Sequence, residues 1–228
     1  MQTSLMRVIA RIHSEFPEKF GIPRQSGLVP SLQARIVFEP EFRNPDALRG
    51  IEGFSHLWLI WEFSEAKRET WSPTVRPPRL GGNKRIGVFA TRSPFRPNAI
   101  GLSCVRLEAV EQDPKDGPVL VVSGADLLDG TSIFDIKPYL PYADAIPDAV
   151  GGFAPTAPQE KLTVLLPDNL AEKFPSQKLQ ALRELLALDP RPSYQDQPNR
   201  VYGMRFGGYQ IHFRVQESVL TVLSVEAD

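Results

Sequence analysis

Cysteine is almost absent: Cys104 stands alone among 228 residues, so there is no disulfide framework and a reducing compartment is implied. Long apolar runs are missing as well. No stretch approaches the roughly 18 apolar residues of a membrane span, and "MQTSLMRVIARIHSEF" shows no basic leader ahead of an apolar core. A cytoplasmic protein with no membrane partner is therefore expected. Histidine is scarce, and His13, His56 and His212 lie far apart with no Cys or Glu at metal-ligand spacing, which argues against a metal site. The familiar phosphate cradles are also lacking. "GGNKRIG" imitates part of a P-loop, but the Lys-Ser/Thr after the last glycine is missing and no helix follows. No strand runs into a Gly-x-Gly-x-x-Gly turn that opens a helix, so a Rossmann cofactor site has no support. Neither a nucleophile elbow nor a spaced His/Asp set points to a hydrolase.

A hydrophobic content of 42% and a net charge of -1 exclude both long disorder and a simple basic nucleic-acid coat. The charge is segregated, however. From Ala66 to Arg106 nine lysines and arginines face one glutamate, and from Leu107 to Asp148 nine acids face two lysines. These blocks either pair with each other or leave a basic face for an anionic partner.

Short runs rich in Val, Ile, Phe and Trp dominate the first part: "MRVIARI", "ARIVFE", "HLWLIWEF", "RIGVFAT", "GLSCVRLEAV", "PVLVVSGADLL" and "SIFDIKPYL". No helical pattern intervenes, so the fold expected is mainly β, an antiparallel barrel or sandwich and not a doubly wound sheet. "PYADAIPDAVGGFAPTAP" reads as a connector with a boundary near residue 155. Beyond it, Leu179, Leu182, Leu185 and Leu186 form a helical stripe stopped by Pro190 and Pro192. "VYGMRFGGYQIHFRVQESVLTVLSVE" then reads as three strands, the first two joined at Gly207-Gly208. The expected domains are 1–150, β, and 155–228, a small α+β unit.

Several loops carry more chemistry than connection requires. In "GVFATRSPFRPNAIG", Arg92 and Arg96 stand on a turn stiffened by Pro94 and Pro97, a pair of forked donors suited to phosphate or carboxylate. The alternative is an ion pair with Asp126, Asp129 or Asp135 that ties strands together. "DLLDGTSIFDIKPYL" places a tight turn at Asp129-Gly130 ahead of a strand with Asp135. "FGIPRQSGLVP" sets Arg24 and Gln25 in a Pro/Gly-bounded loop, and "LDPRPSYQ" puts Arg191 and Tyr194 on a stiff loop of the kind that meets RNA phosphate and stacks a base. His56 reads as a satisfied structural histidine, and Trp58 and Trp61 as core.

Taken together, "FGIPRQSGLV", "FSHLWLIWEF", "TVRPPRLGGNKRIGVFATRSPFRPNAIGLS", "LLDGTSIFDIKPYLPYAD" and "DPRPSY" resemble the TsaA-like family, and more closely its TrmO-type tRNA methyltransferases. The resemblance implies a non-Rossmann β-barrel methyltransferase, a homodimer with its site near the subunit contact. It implies S-adenosyl-L-methionine as methyl donor and N6 of N6-threonylcarbamoyladenosine, at tRNA position 37, as acceptor. Cofactor contacts then fall on Pro23, Arg24 and Gln25, on Ser64 and Glu65, on Arg92, and on Leu128, Asp129, Gly130 and Thr131. Arg92 and Arg96, with Asp129 and Asp135 as candidate bases, carry the catalytic roles, and Arg191 and Tyr194 belong to tRNA recognition. Ser132 stands where the family's "DGTP" has proline. Two competing functions are a barrel methyltransferase acting on a small carboxylated molecule and a non-catalytic tRNA-binding module.

Overall fold

The computed structural model describes residues 4–66, 70–156, 162–191, 197 and 199–228. The chain is mainly β. Six antiparallel strands close on themselves: β1 (Ala10–His13), β2 (Gln33–Phe38), β3 (His56–Glu62), β6 (Ile100–Asp113), β7 (Gly117–Ser123) and β8 (Ser132–Pro138) pair in the ring order β1-β2-β7-β6-β3-β8. Between β3 and β6 the only pairing in the described residues is a two-residue bridge of β4 (Thr74–Val75) with β5 (Ile86–Gly87).

Alternation explains which way each ring strand faces. Along β3, Leu57, Leu59 and Trp61 are buried inside the ring with Ile12, Ile36 and Leu120, while Trp58 is half-buried on the outer side, tilted against Tyr139 at 5.8 Å. The expectation that both tryptophans are core thus holds for Trp61 alone, because the two stand three positions apart, an odd step, and a strand reverses face at every position. "RIGVFAT" also departs from expectation. It yields only β5 and then a 3-10 turn, Val88–Ala90, with Phe89 72% exposed, because no ring strand lies beside it to complete its ladder.

Tyr142 of α1 (Pro141–Asp144) is in solvent, and after α1 the chain runs through exposed turns, with Ile146 and Val150 in solvent too. A second, four-stranded sheet follows in the order β10-β11-β12-β9, from β9 (Thr163–Leu165), β10 (Val201–Phe206), β11 (Tyr209–Gln216) and β12 (Val219–Ala227). Gly207 and Gly208, at φ 66 and 85, make the tight β10–β11 turn that side chains resist. α2 (Asp168–Ala171) and α3 (Ser176–Ala187) cover this sheet, and α3 buries Leu182, Leu185 and Leu186 against Phe206 and Phe213.

The second core also takes residues from the N-terminal part. Phe16, Val29 and Leu32, all from the β1–β2 connection, are buried in it, and Phe16 meets Phe206 at 5.3 Å. Lys178 pairs with Glu15 at 2.6 Å, and the Ser31 hydroxyl donates to Glu184 at 2.7 Å. The Ser14–Leu32 stretch is therefore clamped between the ring and the second sheet, so the loop that carries Pro23, Arg24 and Gln25 is held from both sides.

Candidate active site

The clamped loop, the "TRSPFRPN" loop and the turn after β7 converge at one mouth of the ring, around a cleft of about 880 Å³. That size lies within the range of small-molecule and cofactor sites. Pro23, Arg24, Gln25, Ser64 and Glu65 line it, as do Arg92, Arg96, Leu128 and Thr131. Residues from four separated stretches of sequence thus meet at one place.

Local chemistry fixes each wall. Gly27 N–H donates to the Gly124 carbonyl at 2.8 Å, and a Cβ at Gly124 would lie 3.2 Å from the Gly27 Cα, so the two loops meet backbone to backbone. Arg92 Nη1 donates to Gln25 Oε1 at 2.5 Å, and Arg96 Nη1 to the Thr91 carbonyl at 3.2 Å, which ties down the proline-stiffened turn. Neither arginine pairs with a carboxylate among the described residues, so the strand-tying alternative is not what the fold uses. Ser64 and Glu65 stand in a 3-10 turn, Ser64–Ala66, at the end of β3, where Lys19 pairs with Glu65 at 3.1 Å.

The turn after β7 is closed by Thr131 N–H donating to the Leu128 carbonyl at 3.2 Å, with Gly130 at φ 74. Thr131 is buried and its hydroxyl also donates to the Leu128 carbonyl, at 2.7 Å. Ser132, in the place of the family's proline, is buried and its hydroxyl accepts from Arg11 at 3.3 Å.

Other candidates are placed elsewhere. Asp129 turns away from the cleft lining: its carboxylate accepts from the Ser14 N–H at 3.1 Å and faces His13 at 3.4 Å. Asp135 lies on β8 outside the lining and pairs with Lys137 at 2.8 Å. Neither carboxylate is part of the cleft lining. Arg191 forms a two-point pair with Asp189 at 2.8 Å and is only 11% exposed, yet its carbonyl accepts from Arg24 Nη2 at 3.3 Å, so the "LDPR" stretch touches the cleft's rim. Tyr194 lies outside the described residues. His56 sits away from the cleft beside Ser55 and Tyr139, as a structural histidine should.

From sequence Asp126 stands out only as a candidate ion-pair partner, yet it lines the cleft. The Ser103 hydroxyl donates to its Oδ1 at 2.5 Å, and Ser103, fully buried on β6, accepts from Trp61 Nε1 at 3.0 Å. Burial pushes the Asp126 carboxyl above the usual carboxylate range, against the pull of the Ser103 hydrogen bond, of backbone N–H groups and of the Arg92 charge. Trp61 is seated on Gly101: a Cβ there would fall 2.3 Å from the indole. "GLSC" is in this sense a site motif, with the glycine making room for the indole and the serine joining it to the carboxylate.

The basic block is not neutralised by the acidic one. Among the described residues the only ion pair between them joins Arg106 to Glu108 at 3.3 Å, while the acids Glu111, Asp113 and Asp116 are taken by Arg35 and Arg43. Arg76, Arg79, Lys84 and Arg85 are exposed on the β4–β5 arm beside the cleft, with Phe89 and Trp71 also exposed and 6.0 Å apart. Cations next to exposed aromatic rings suit a nucleic acid.

Two family models, the tRNA-methyltransferase O N-terminal domain and the TrmO C-terminal domain, match residues 11–145 and 159–228. The chain belongs to the TrmO family. A tRNA (adenine(37)-N6)-methyltransferase of Escherichia coli is 41% identical over 227 residues, 96% of each chain. A Pyrococcus abyssi protein named for S-adenosyl-L-methionine binding is 41% identical over 138 residues, 60% of this chain and 69% of that one. The crystal structure of TrmO from Pseudomonas aeruginosa superposes with a TM-score of 0.80 at 37% identity, covering 100% of this chain and 99% of that one. Among the described residues no helix is long and apolar enough to cross a membrane, and no cluster of His, Cys, Asp or Glu is placed to hold a metal ion.

Proposed function

We propose that this chain transfers a methyl group from S-adenosyl-L-methionine to N6 of the adenine at position 37 of tRNA, and that the natural acceptor is N6-threonylcarbamoyladenosine. The observation that carries this reading is the cleft itself: two arginines with no carboxylate partner among the described residues and a half-buried carboxylate beside aromatic walls, opening next to a basic arm. The residues present fit the methyl donor. A zwitterionic nucleoside with a sulfonium asks for cations at its carboxylate, for acids and backbone carbonyls at its ammonium and hydroxyls, and for apolar surface under its ring. Arg24 or Arg92 supplies the first, Glu65 and the Leu128–Thr131 turn the second, and Trp61 and Phe63, 4.2 Å apart, stand in the same lining for the third.

When bound, the cofactor supplies an electrophilic methyl group on a positively charged sulfur. The chain's own work is positioning, since the N6 lone pair is delocalised into the ring and attacks poorly unless it is held in line. Arg92 and Gln25, bonded to each other, fix the two loops relative to one another before a ligand enters. Arg96, half-buried on its own turn, stands ready for the acceptor's phosphate or threonyl carboxylate. The exposed arm cations grip the anticodon stem-loop, and the "LDPR" stretch at the rim extends that grip from the 155–228 unit. In this reading the six-stranded ring is the methyltransferase barrel and the protein works as a cytoplasmic homodimer, with the exposed Tyr142, Ile146 and Val150 available at its outer surface.

Labelled S-adenosyl-L-methionine incubated with the protein and tRNA tests the reading. Label in tRNA supports it. A gel shift with tRNA but no cofactor binding identifies a non-catalytic tRNA module, and cofactor binding with a salt-insensitive small acceptor identifies a small-molecule enzyme.

A further inference from the structure

We infer that Asp126 is the proton acceptor of the methyl transfer, taking the N6 hydrogen of the target adenine; the inference rests on the methyltransferase reading above. Among the described residues three carboxylates line the cleft: Glu62, Glu65 and Asp126. Glu65 is exposed at the rim and neutralised by Lys19 at 3.1 Å, and Glu62 is engaged at the end of β3. Asp126 differs in how it is held. No cation stands within ion-pair distance of it among the described residues, and its partners are neutral donors, with the Ser103 hydroxyl at 2.5 Å. Ser103 has no exposed surface and is itself fixed by Trp61 Nε1 at 3.0 Å, on an indole that only glycine at 101 admits. Such a chain orients a carboxylate without committing it to a counter-ion, as a base needs.

The chemistry balances. As the N6 lone pair forms its bond to the methyl carbon, the sulfur–carbon bond breaks with its electron pair left on sulfur, turning the sulfonium into a neutral thioether. N6 is left cationic unless its hydrogen leaves, and that proton passes to an oxygen of Asp126, which returns it to solvent. A carboxyl raised above the ordinary range by burial accepts a proton more readily than a solvated one. Among the described residues the charged groups that share the cleft with Asp126 are Arg24, Arg92, Arg96 and Lys19 on the cationic side and Glu62 and Glu65 on the anionic side. Of these, Arg92 acts on its titration, lowering it.

Asp126→Asn keeps the shape and the Ser103 contact but removes the basic oxygen. With the full-length protein, S-adenosyl-L-methionine and tRNA, kcat is expected to fall by roughly 10²–10⁴-fold, while cofactor affinity by calorimetry and tRNA affinity by gel shift change less than about threefold. In the wild type, kcat declines as pH falls through the Asp126 pKa, above the ordinary aspartate value of about 3.9, and the asparagine variant loses that acid limb. Ser103→Ala removes a donor to the charged form, so its acid limb moves to higher pH; a merely structural serine would leave the limb in place. An Asp126→Asn enzyme with wild-type kcat, or one whose loss is entirely in cofactor affinity, overturns the inference while leaving the reaction standing. A wild-type enzyme that puts no methyl on tRNA overturns the methyltransferase reading itself.

Discussion

Arg92 and Gln25 are 67 positions apart in the chain and 2.5 Å apart in space, guanidinium to amide oxygen. This single bond joins the two loops that carry most of the cleft's polar donors. Arg92→Lys keeps the charge but loses the fork. Its kcat/KM with S-adenosyl-L-methionine is expected to drop about ten- to a hundredfold, roughly 1.5–3 kcal/mol, in steady-state kinetics. A variant as active as the wild type rules out forked binding by Arg92.

The exposed arm makes a separate claim. Arg76→Ala and Lys84→Ala each remove a cation that no carboxylate neutralises among the described residues. Each change is expected to reduce the slope of log tRNA affinity against log salt by about one, with cofactor affinity unchanged. Filter binding at several salt concentrations reads the slope, and an unchanged slope removes the arm from the tRNA face.

Gly101→Ala tests the seat beneath the indole. Its Cβ would stand 2.3 Å from Trp61, across the β3–β6 register that pairs the two residues. Overpacking of this kind costs typically about 1–3 kcal/mol, so thermal melting should come several degrees lower. A variant that melts with the wild type means Trp61 moves freely and does not hold Ser103.

Asp126 also leaves a mark on stability. Its folded pKa is raised, so the folded state binds the proton more tightly than the unfolded chain, and stability falls as pH rises from the unfolded value through the folded one. Above that window Asp126→Asn is expected to melt higher than the wild type, and the gap should close at acid pH. A variant that melts lower at neutral pH contradicts burial as the dominant cause.

The ring strands were legible because alternation marks them: Leu57, Leu59 and Trp61 in "HLWLIWEF" announce both a strand and its buried face. The helix was legible from the leucine spacing in "SQKLQALRELLAL". "RIGVFAT" misled because β-favouring residues specify a strand only where a neighbour offers a ladder, and here just Thr74 and Val75 do. The clamping of Ser14–Leu32 against the second sheet was not readable either, since Phe16, Val29 and Leu32 look the same whichever core takes them. In the cleft, Arg24, Gln25, Arg92 and Arg96 stood out as charge on stiff loops, a local feature. Asp126 did not, because its character comes from Ser103 and Trp61, which reach it only through strand pairing. Asp129 drew attention as part of an Asp-Gly turn, and the structure gives its carboxylate to Ser14 and His13.

The most direct measurement is mass spectrometry of nucleosides from threonylcarbamoylated tRNA, incubated with the protein and S-adenosyl-L-methionine carrying a labelled methyl group. The account predicts label on the modified adenosine of position 37, attached at N6. Label on another nucleoside, or none while a control enzyme methylates the same tRNA, contradicts it.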